Sequence, residues 1–203
     1  MQGFVMHGLI NRSLEGFLRA TYGNDLWRRI MEELDVGFDS FEAMLTYDDA
    51  LTQALVDSAA HFLGKPRDDL LEDFGTWLVC DSKSERVRRL LRFGGVDYAD
   101  FLQSLDDLPG RARLAVPDLE LPALELRESG EGEFTLTCTS PQEGAAQVLL
   151  GVLRALADDY GTLVFIEPLA RRGDTDTLLI RLLEAGFSEG RDFSLAQSVS
   201  HSC

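Results

Sequence analysis

No stretch of the 203-residue chain approaches the run of about eighteen apolar residues that a membrane helix needs, so no spanning segment is expected. Basic residues are scarce: 19 Lys and Arg stand against 35 Asp and Glu, a net charge of −16. That balance argues against nucleic acid as a partner, because phosphate backbones are held by clustered cations. Cysteine is sparse as well. Cys80, Cys138 and Cys203 are odd in number and far apart, which reads as free thiols in a reducing cytoplasm. The opening "MQGFVMHGLINRS" has neither a basic leader region nor a small-residue cleavage site, so secretion is not expected. There is no Walker loop, no G-x-G-x-x-G and no nucleophile elbow. The glycines of "GEGEF" fall inside an expected hairpin rather than between a strand and a helix, which argues against a phosphate loop.

What the chain does have is a globular share of apolar residues, 45%, arranged with two different periods. The first half repeats every three or four residues. "GLINRSLEGFLRATYG" places Leu9, Ile10, Leu14, Phe17 and Leu18 on one stripe and closes at Gly23, and "NDLWRRIMEELD" follows with Asn24 as its expected N-cap. Asp48 or Asp49 can cap "ALTQALVDSAAHFLG", and Pro66 is expected in the first turn of "PRDDLLEDFGTWLVC". "SERVRRLLRF" reads as a fifth helix, stopped by Gly94 and Gly95. In a sixth, Tyr98, Phe101, Leu102, Leu105 and Leu108 share one face, which is expected to hold the two halves of the molecule together. Pro109 then interrupts it, removing a backbone donor and clashing with the carbonyl four residues back.

The second half alternates. "ALELRES" and "EFTLTCTS" form a hairpin through "GEG", and "PQEGAAQVLLGVLRALADDYG" is a helix with Ser140 as N-cap and Pro141 in its first position. "TLVFIEPL" and "DTLLIRLLE" complete a sheet, "DFSLAQ" reads as an edge strand or an exit segment, and "SVSHSC" as a loose tail. Helices in a run, then strands around one helix, indicate an α+β fold. A helical N-terminal lobe is expected to pack on a C-terminal lobe with a four-stranded antiparallel sheet and one long helix.

The chemistry-bearing residues assemble no enzyme. Asp48–Asp49, Asp68–Asp69 and Asp106–Asp107 are adjacent pairs, and adjacent helical residues do not face each other. His7 reads as a cap or surface residue and His61 as an edge-of-core residue. His201 and Cys203 form one closely spaced pair that Cys80 or Cys138 would have to complete as a zinc site, whereas structural zinc draws such pairs from two loops. Arg86, Arg88, Arg89 and Arg92 read as a solvated helix face, or as a docking patch for an acidic partner.

Several stretches, in order, resemble the H-NOX (haem-nitric oxide/oxygen-binding, HNOB) domain family. "MHGLINRSLEGFLRATYGNDLW" is similar to its first two helices, "YDDALTQALVDSAAHFLG" and "LLEDFGTWLV" to its third and fourth. "FLQSLDDLPGRARLAVPDLELPALEL" resembles its proximal helix and the chain leading to the sheet, and "CTSPQEGAAQVLLGVLRALADDYGT" its propionate-binding turn and following helix. The similarity runs from about Met6 to about Leu182. It implies an H-NOX-like fold over residues 1–182, with an N-terminal helical lobe at 1–64, a C-terminal lobe at 65–182, and an edge segment and tail at 183–203. It implies haem between the lobes, NO or O2 as signal, and a stand-alone cytoplasmic sensory or regulatory protein of a bacterial type that is not itself an enzyme. A partner such as a histidine kinase or a cyclic-dinucleotide enzyme follows from the same resemblance.

In that family an axial histidine sets the iron's chemistry and a Tyr-x-Ser-x-Arg motif grips the haem propionates, an arginine fork matching carboxylates. The ligand position here is Pro109, and the three motif positions are Cys138, Ser140 and Gln142, of which Ser140 alone matches. Losing both sets of groups that serve one cofactor points to a domain that no longer holds haem in the family's way. Ile10, Leu14, Pro117 and Leu149 are expected to line a persisting apolar cavity. Two alternatives stay open: a haem-free module binding another apolar ligand, such as a tetrapyrrole or lipid, and a protein-interaction domain whose cavity has filled.

Overall fold

Short polar side chains and glycines set where the helices of the first half begin and end. The structure is a computed structural model that describes residues 5–81, 90–91 and 95–184. The expected fifth helix with its arginine cluster, the segment "DFSLAQ" and the tail with His201 and Cys203 lie outside the described residues. Strand β1 (Val5–His7) pairs antiparallel with β2 (Thr46–Asp48), three residues each and too short for an alternation to be seen. His7 closes β1 and caps α1 (Gly8–Tyr22), its Nδ1 accepting from Leu9 N–H at 3.1 Å. Helix α2 (Asn24–Leu34) begins one residue after α1 ends. Gly23, at φ 93°, is therefore both C-cap and N-cap, and Asn24 is the first helical residue instead of the cap. Asp48 caps α3 (Asp49–Leu63), accepting from Ala50 N–H at 2.9 Å. Pro66 caps α4 (Arg67–Cys80), one position ahead of the expected first turn.

The first lobe's core gathers Leu14, Phe17, Leu18, Trp27, Ile30, Phe41, Leu55, Ala59 and Phe74. One charge is buried beside it. The Glu15 carboxylate accepts from Phe41 N–H at 3.0 Å and lies 2.8 Å from Arg12 Nη1 and 3.3 Å from Arg19 Nε. A buried carboxylate is tolerable only when so paired, and here it ties the 38–42 loop to α1.

The expected sixth helix is three short pieces: α5 (Tyr98–Gln103), a 3₁₀ turn (Leu105–Asp107) and α6 (Leu108–Ala115). Its five apolar residues are buried. Pro109 does not interrupt a helix. It is the second residue of α6, where first-turn N–H groups have no intrahelical partner, so the mid-helix cost does not arise. Nor does this face join the lobes, because all five residues belong to the second core.

Strands β3 (Ala123–Gly130), β4 (Glu133–Thr139), β5 (Leu163–Pro168) and β6 (Thr175–Glu184) form an antiparallel sheet in the order β3-β4-β6-β5. Leu126, Leu136 and Leu178 are in register across three strands. Phe134, Leu136, Cys138, Leu178 and Ile180 turn one face inward, the alternation seen in the sequence. Helix α7 (Ala145–Tyr160) covers that face with Leu150, Leu153 and Leu156, and Tyr98 Oη donates to Leu153 O at 3.0 Å. The helix starts later than expected. Ser140 Oγ accepts from Gln142 N–H at 3.2 Å, closing a two-residue turn, and Gly144 at φ 91° is the N-cap.

The lobes meet where α4 crosses α7. A Cβ on Gly75 would lie 2.0 Å from the Val148 carbonyl oxygen, and one on Gly151 2.0 Å from that of Glu72. Only glycine permits that approach. Helix α4 contributes Leu70, Leu71 and Phe74 to the first core and Val79 to the second.

Candidate functional site

Between the lobes lies a cavity of about 150 Å³. Its apolar wall comes from Ile10 and Leu14 of α1, Val56 of α3, Leu71 of α4 and Val148 of α7, closed by Met6, Leu121, Pro122 and Ala145. Ile10 and Leu14 are four residues apart, one helical turn, so one stripe of α1 supplies both. The polar part of the lining is Thr52, Gln53, Arg67, Glu120, Ser140, Gln142 and Glu143.

Most of those polar groups are already engaged. Arg67 donates to Asp57 and to Gln53 Oε1, and Gln53 Nε2 donates to both Asp49 carboxylate oxygens at 3.2 Å. Burial holds the Asp49 carboxyl above its ordinary pKa, with repulsion from Asp48 and Glu143 adding to the rise against the Gln53 bond and Arg67. Ser140 Oγ donates to Gln142 Oε1 at 2.9 Å. Thr52 Oγ1 donates to Asn11 Oδ1 at 2.8 Å, and the fully buried Asn11 Nδ2 has no partner among the described residues. The Arg171 guanidinium donates to Ser140 O at 2.9 Å, Gly173 O at 2.9 Å and Asp176 at 3.1 Å. The lining therefore carries Glu120 and Glu143, with Asp49 beside them, against one committed cation.

Four of the residues expected from the sequence are brought together: Ile10, Leu14, Ser140 and Gln142. Four are not. Leu149 packs on the second core, a helical step of roughly 100° from Val148, which takes the wall position. Pro117 is exposed in the turn after α6, and the proline that reaches the cavity is Pro122, just before β3. Cys138 points with Phe134 and Leu136 into the sheet's buried face, where burial, then Asp176, pushes its thiol up to about 12 against the pull of Arg171. Pro109 is half-buried on α6, away from the lining. Arg67, Gln53 and Pro122 were missed: nothing in their local sequence distinguishes them from other helix-start and loop residues.

The residues present do not fit a haem. Among the described residues the lining holds no histidine, cysteine or tyrosine, and the thioether of Met6 serves haem iron as the partner of a histidine. His7 spends Nδ1 on the α1 cap and His61 is exposed. A volume of about 150 Å³ is well below the ~300–1,000 Å³ of ordinary small-molecule sites. Two propionates would meet Glu120 and Glu143, while Arg67, the guanidinium of the described lining, is bound to Asp57 and Gln53. Among the described residues, no group of three or more His, Cys, Asp or Glu is placed to hold a metal ion, and no helix is long and apolar enough to cross a membrane.

A family model described as Haem-NO-binding (HNOB) matches residues 7–167. The soluble guanylate cyclase 89Da of Drosophila melanogaster is 23% identical over 155 residues, 76% of this chain and 23% of that protein. Soluble guanylate cyclase gcy-35 of Caenorhabditis elegans is 30% identical over 156 residues, 75% of this chain and 22% of that protein. The chain thus spans under a quarter of these relatives' length. Among solved structures, an H-NOX protein from S. oneidensis in the Fe(II)NO ligation state superposes with a TM-score of 0.75 at 18% identity, covering 88% of this chain and 100% of that one. The Fe(II) unliganded H-NOX protein from K. algicida gives 0.76 at 17% identity, covering 88% and 97%.

Proposed function

Because the chain belongs to the Haem-NO-binding family, we propose that it is a sensory or regulatory H-NOX-type domain that works without haem. The observation that carries this reading is the composition of the interlobe cavity. Among the described residues it lacks an iron ligand that acts without histidine, it is too small for a macrocycle and has an acidic polar part, while Pro109, at the family's ligand position, lies outside it. The chain names no acid, base and nucleophile set of its own, and the cyclases it resembles are more than four times as long as the matched region. A signalling partner in the cytoplasm, such as a histidine kinase or a cyclic-dinucleotide enzyme, is the output that membership of this family suggests. The cavity is what sets this reading apart from a module whose interior has filled.

The test is a haemin titration followed by gel filtration. The expected result is no stoichiometric Soret band travelling with the protein. A band that persists at one haem per chain overturns the reading.

A further inference from the structure

The interlobe cavity has a size and a charge that specify more than the loss of haem. Its wall is Ile10, Leu14, Val56, Leu71, Leu121 and Val148, side chains that present no polar atom. Engineered cavities of about 150 Å³ walled by such side chains take a molecule of benzene's size. The cavity also sits where the lobes face each other, so an occupant touches α1, α3 and α4 on one side and the start of α7 on the other. Its polar part carries Glu120 and Glu143, both exposed at the rim, and one cation, Arg67, whose two terminal nitrogens already serve Asp57 and Gln53. An anionic head would meet two carboxylates there, and a neutral or cationic head would not be repelled.

We infer that the cavity is a binding site for one small apolar molecule, of about the size of benzene, whose head is neutral or carries a single amine. The inference rests on the haem-free reading and adds the ligand class to it. Such an occupant fills the void between the lobes and thereby favours the arrangement in which they close on it.

Benzene, benzylamine and benzoate share one ring and differ in the charge of the head. Each is titrated into the full chain while backbone amide NMR shifts are followed. Saturable shifts are expected at the amides of Leu14, Val56, Leu71 and Val148 with benzene and benzylamine, with benzoate weaker by at least about tenfold. Val56→Phe, which fills the void, is expected to weaken both binders by at least about tenfold while keeping the wild-type amide dispersion. If that variant does not fold, Val148→Phe, at a half-buried position, serves instead. A folded wild-type protein with no saturable shift up to benzene's solubility overturns the inference, as does benzoate binding as tightly as benzylamine. A parallel haemin titration separates the two failures. A retained Soret band breaks the haem-free reading, whereas no haem and no probe binding break this inference alone.

Discussion

The two lobes fill their interiors with different side chains, and the difference follows from what encloses each. The first lobe is four helices and one two-stranded pair, and its core is built on rings: Phe17, Trp27, Phe41 and Phe74 are buried, with Tyr22, Phe38, Tyr47 and Trp77 packed against them. Phe17 alone lies within 6 Å of Tyr22, Phe74 and Trp77, at 5.7, 5.6 and 5.9 Å between centroids. The second lobe is a sheet covered by α7 and joined by the short helices α5 and α6, and apart from Tyr98, Phe101, Phe134 and a partly buried Tyr160 its core is Leu, Ile, Val and Ala. Helices crossing at several angles leave irregular gaps that large planar rings fill, whereas a pleated face presents regular rows that branched aliphatics cover. The buried charge of Glu15 also belongs to the first lobe, where a loop without secondary structure must be tied down.

The largest effects test whether these two cores carry the fold separately or as one. Phe17→Ala removes the ring at the centre of the first cluster and is expected to cost about 3–5 kcal/mol, and Leu105→Ala in the second about 2–5 kcal/mol. Chemical denaturation followed by tryptophan fluorescence, which reports the first lobe, and by far-ultraviolet dichroism checks both. If α4 couples the lobes, the two signals stay coincident in each variant; separate transitions would show that the cores unfold independently. Next comes the joint itself. Gly151→Ala places a methyl group against the Glu72 carbonyl, and the helices must move apart, an overpacking cost of about 1–3 kcal/mol. The same substitution at Gly110, where a Cβ meets nothing within 4 Å, is expected to be neutral or stabilising by under about 1 kcal/mol.

A smaller contrast concerns the cysteines. In a Cys80→Ser/Cys203→Ser variant the remaining thiol, Cys138, is expected not to react with a thiol reagent at neutral pH until the protein is unfolded, because it is buried and its thiol is pushed up to about 12. Rapid reaction of the native variant would mean that the sheet's inner face is open. The sign of the pH dependence is fixed by the same shift. The unfolded thiol ionises near 9 and the folded one near 12, so stability is intact below pH 9 and falls as the pH rises through that window. Cys138→Ala is expected to flatten that alkaline limb. The smallest effect is Gln103→Ala, on the exposed side of α5, expected to stay within about 0.5 kcal/mol.

The apolar periods located α1 to α4, α7 and the four-stranded sheet correctly, because each is long enough to repeat its pattern and has one face that must be buried. The resemblance extended this to the family, which the match over residues 7–167 shows. What escaped the sequence was short or depended on a neighbour. β1 and β2 are three residues each. Ser140 forms a turn with Gln142 and does not cap α7. The apolar face from Tyr98 to Leu108 was seen, but not that it belongs to the second core, nor that the backbone divides at Ser104 and lets Pro109 sit at a helix start.

The cavity divides the same way. That α1 offers Ile10 and Leu14 inward is a property of helical spacing alone, since residues four apart share a face whatever lies opposite. That Val148 and not Leu149 meets them is set by how α4 crosses α7, that Arg67 is bound up by Asp57 and Gln53 by how α3 lies beside α4, and that Pro122 and not Pro117 reaches the wall by the path of the chain into β3. The crossing is decided by two glycines 76 positions apart in the chain, Gly75 and Gly151, and no local pattern encodes a backbone approach between them. The chain's periods determined which faces are apolar. Only the packing of one lobe on the other decided how much space is left between those faces, and therefore what size of molecule fits there.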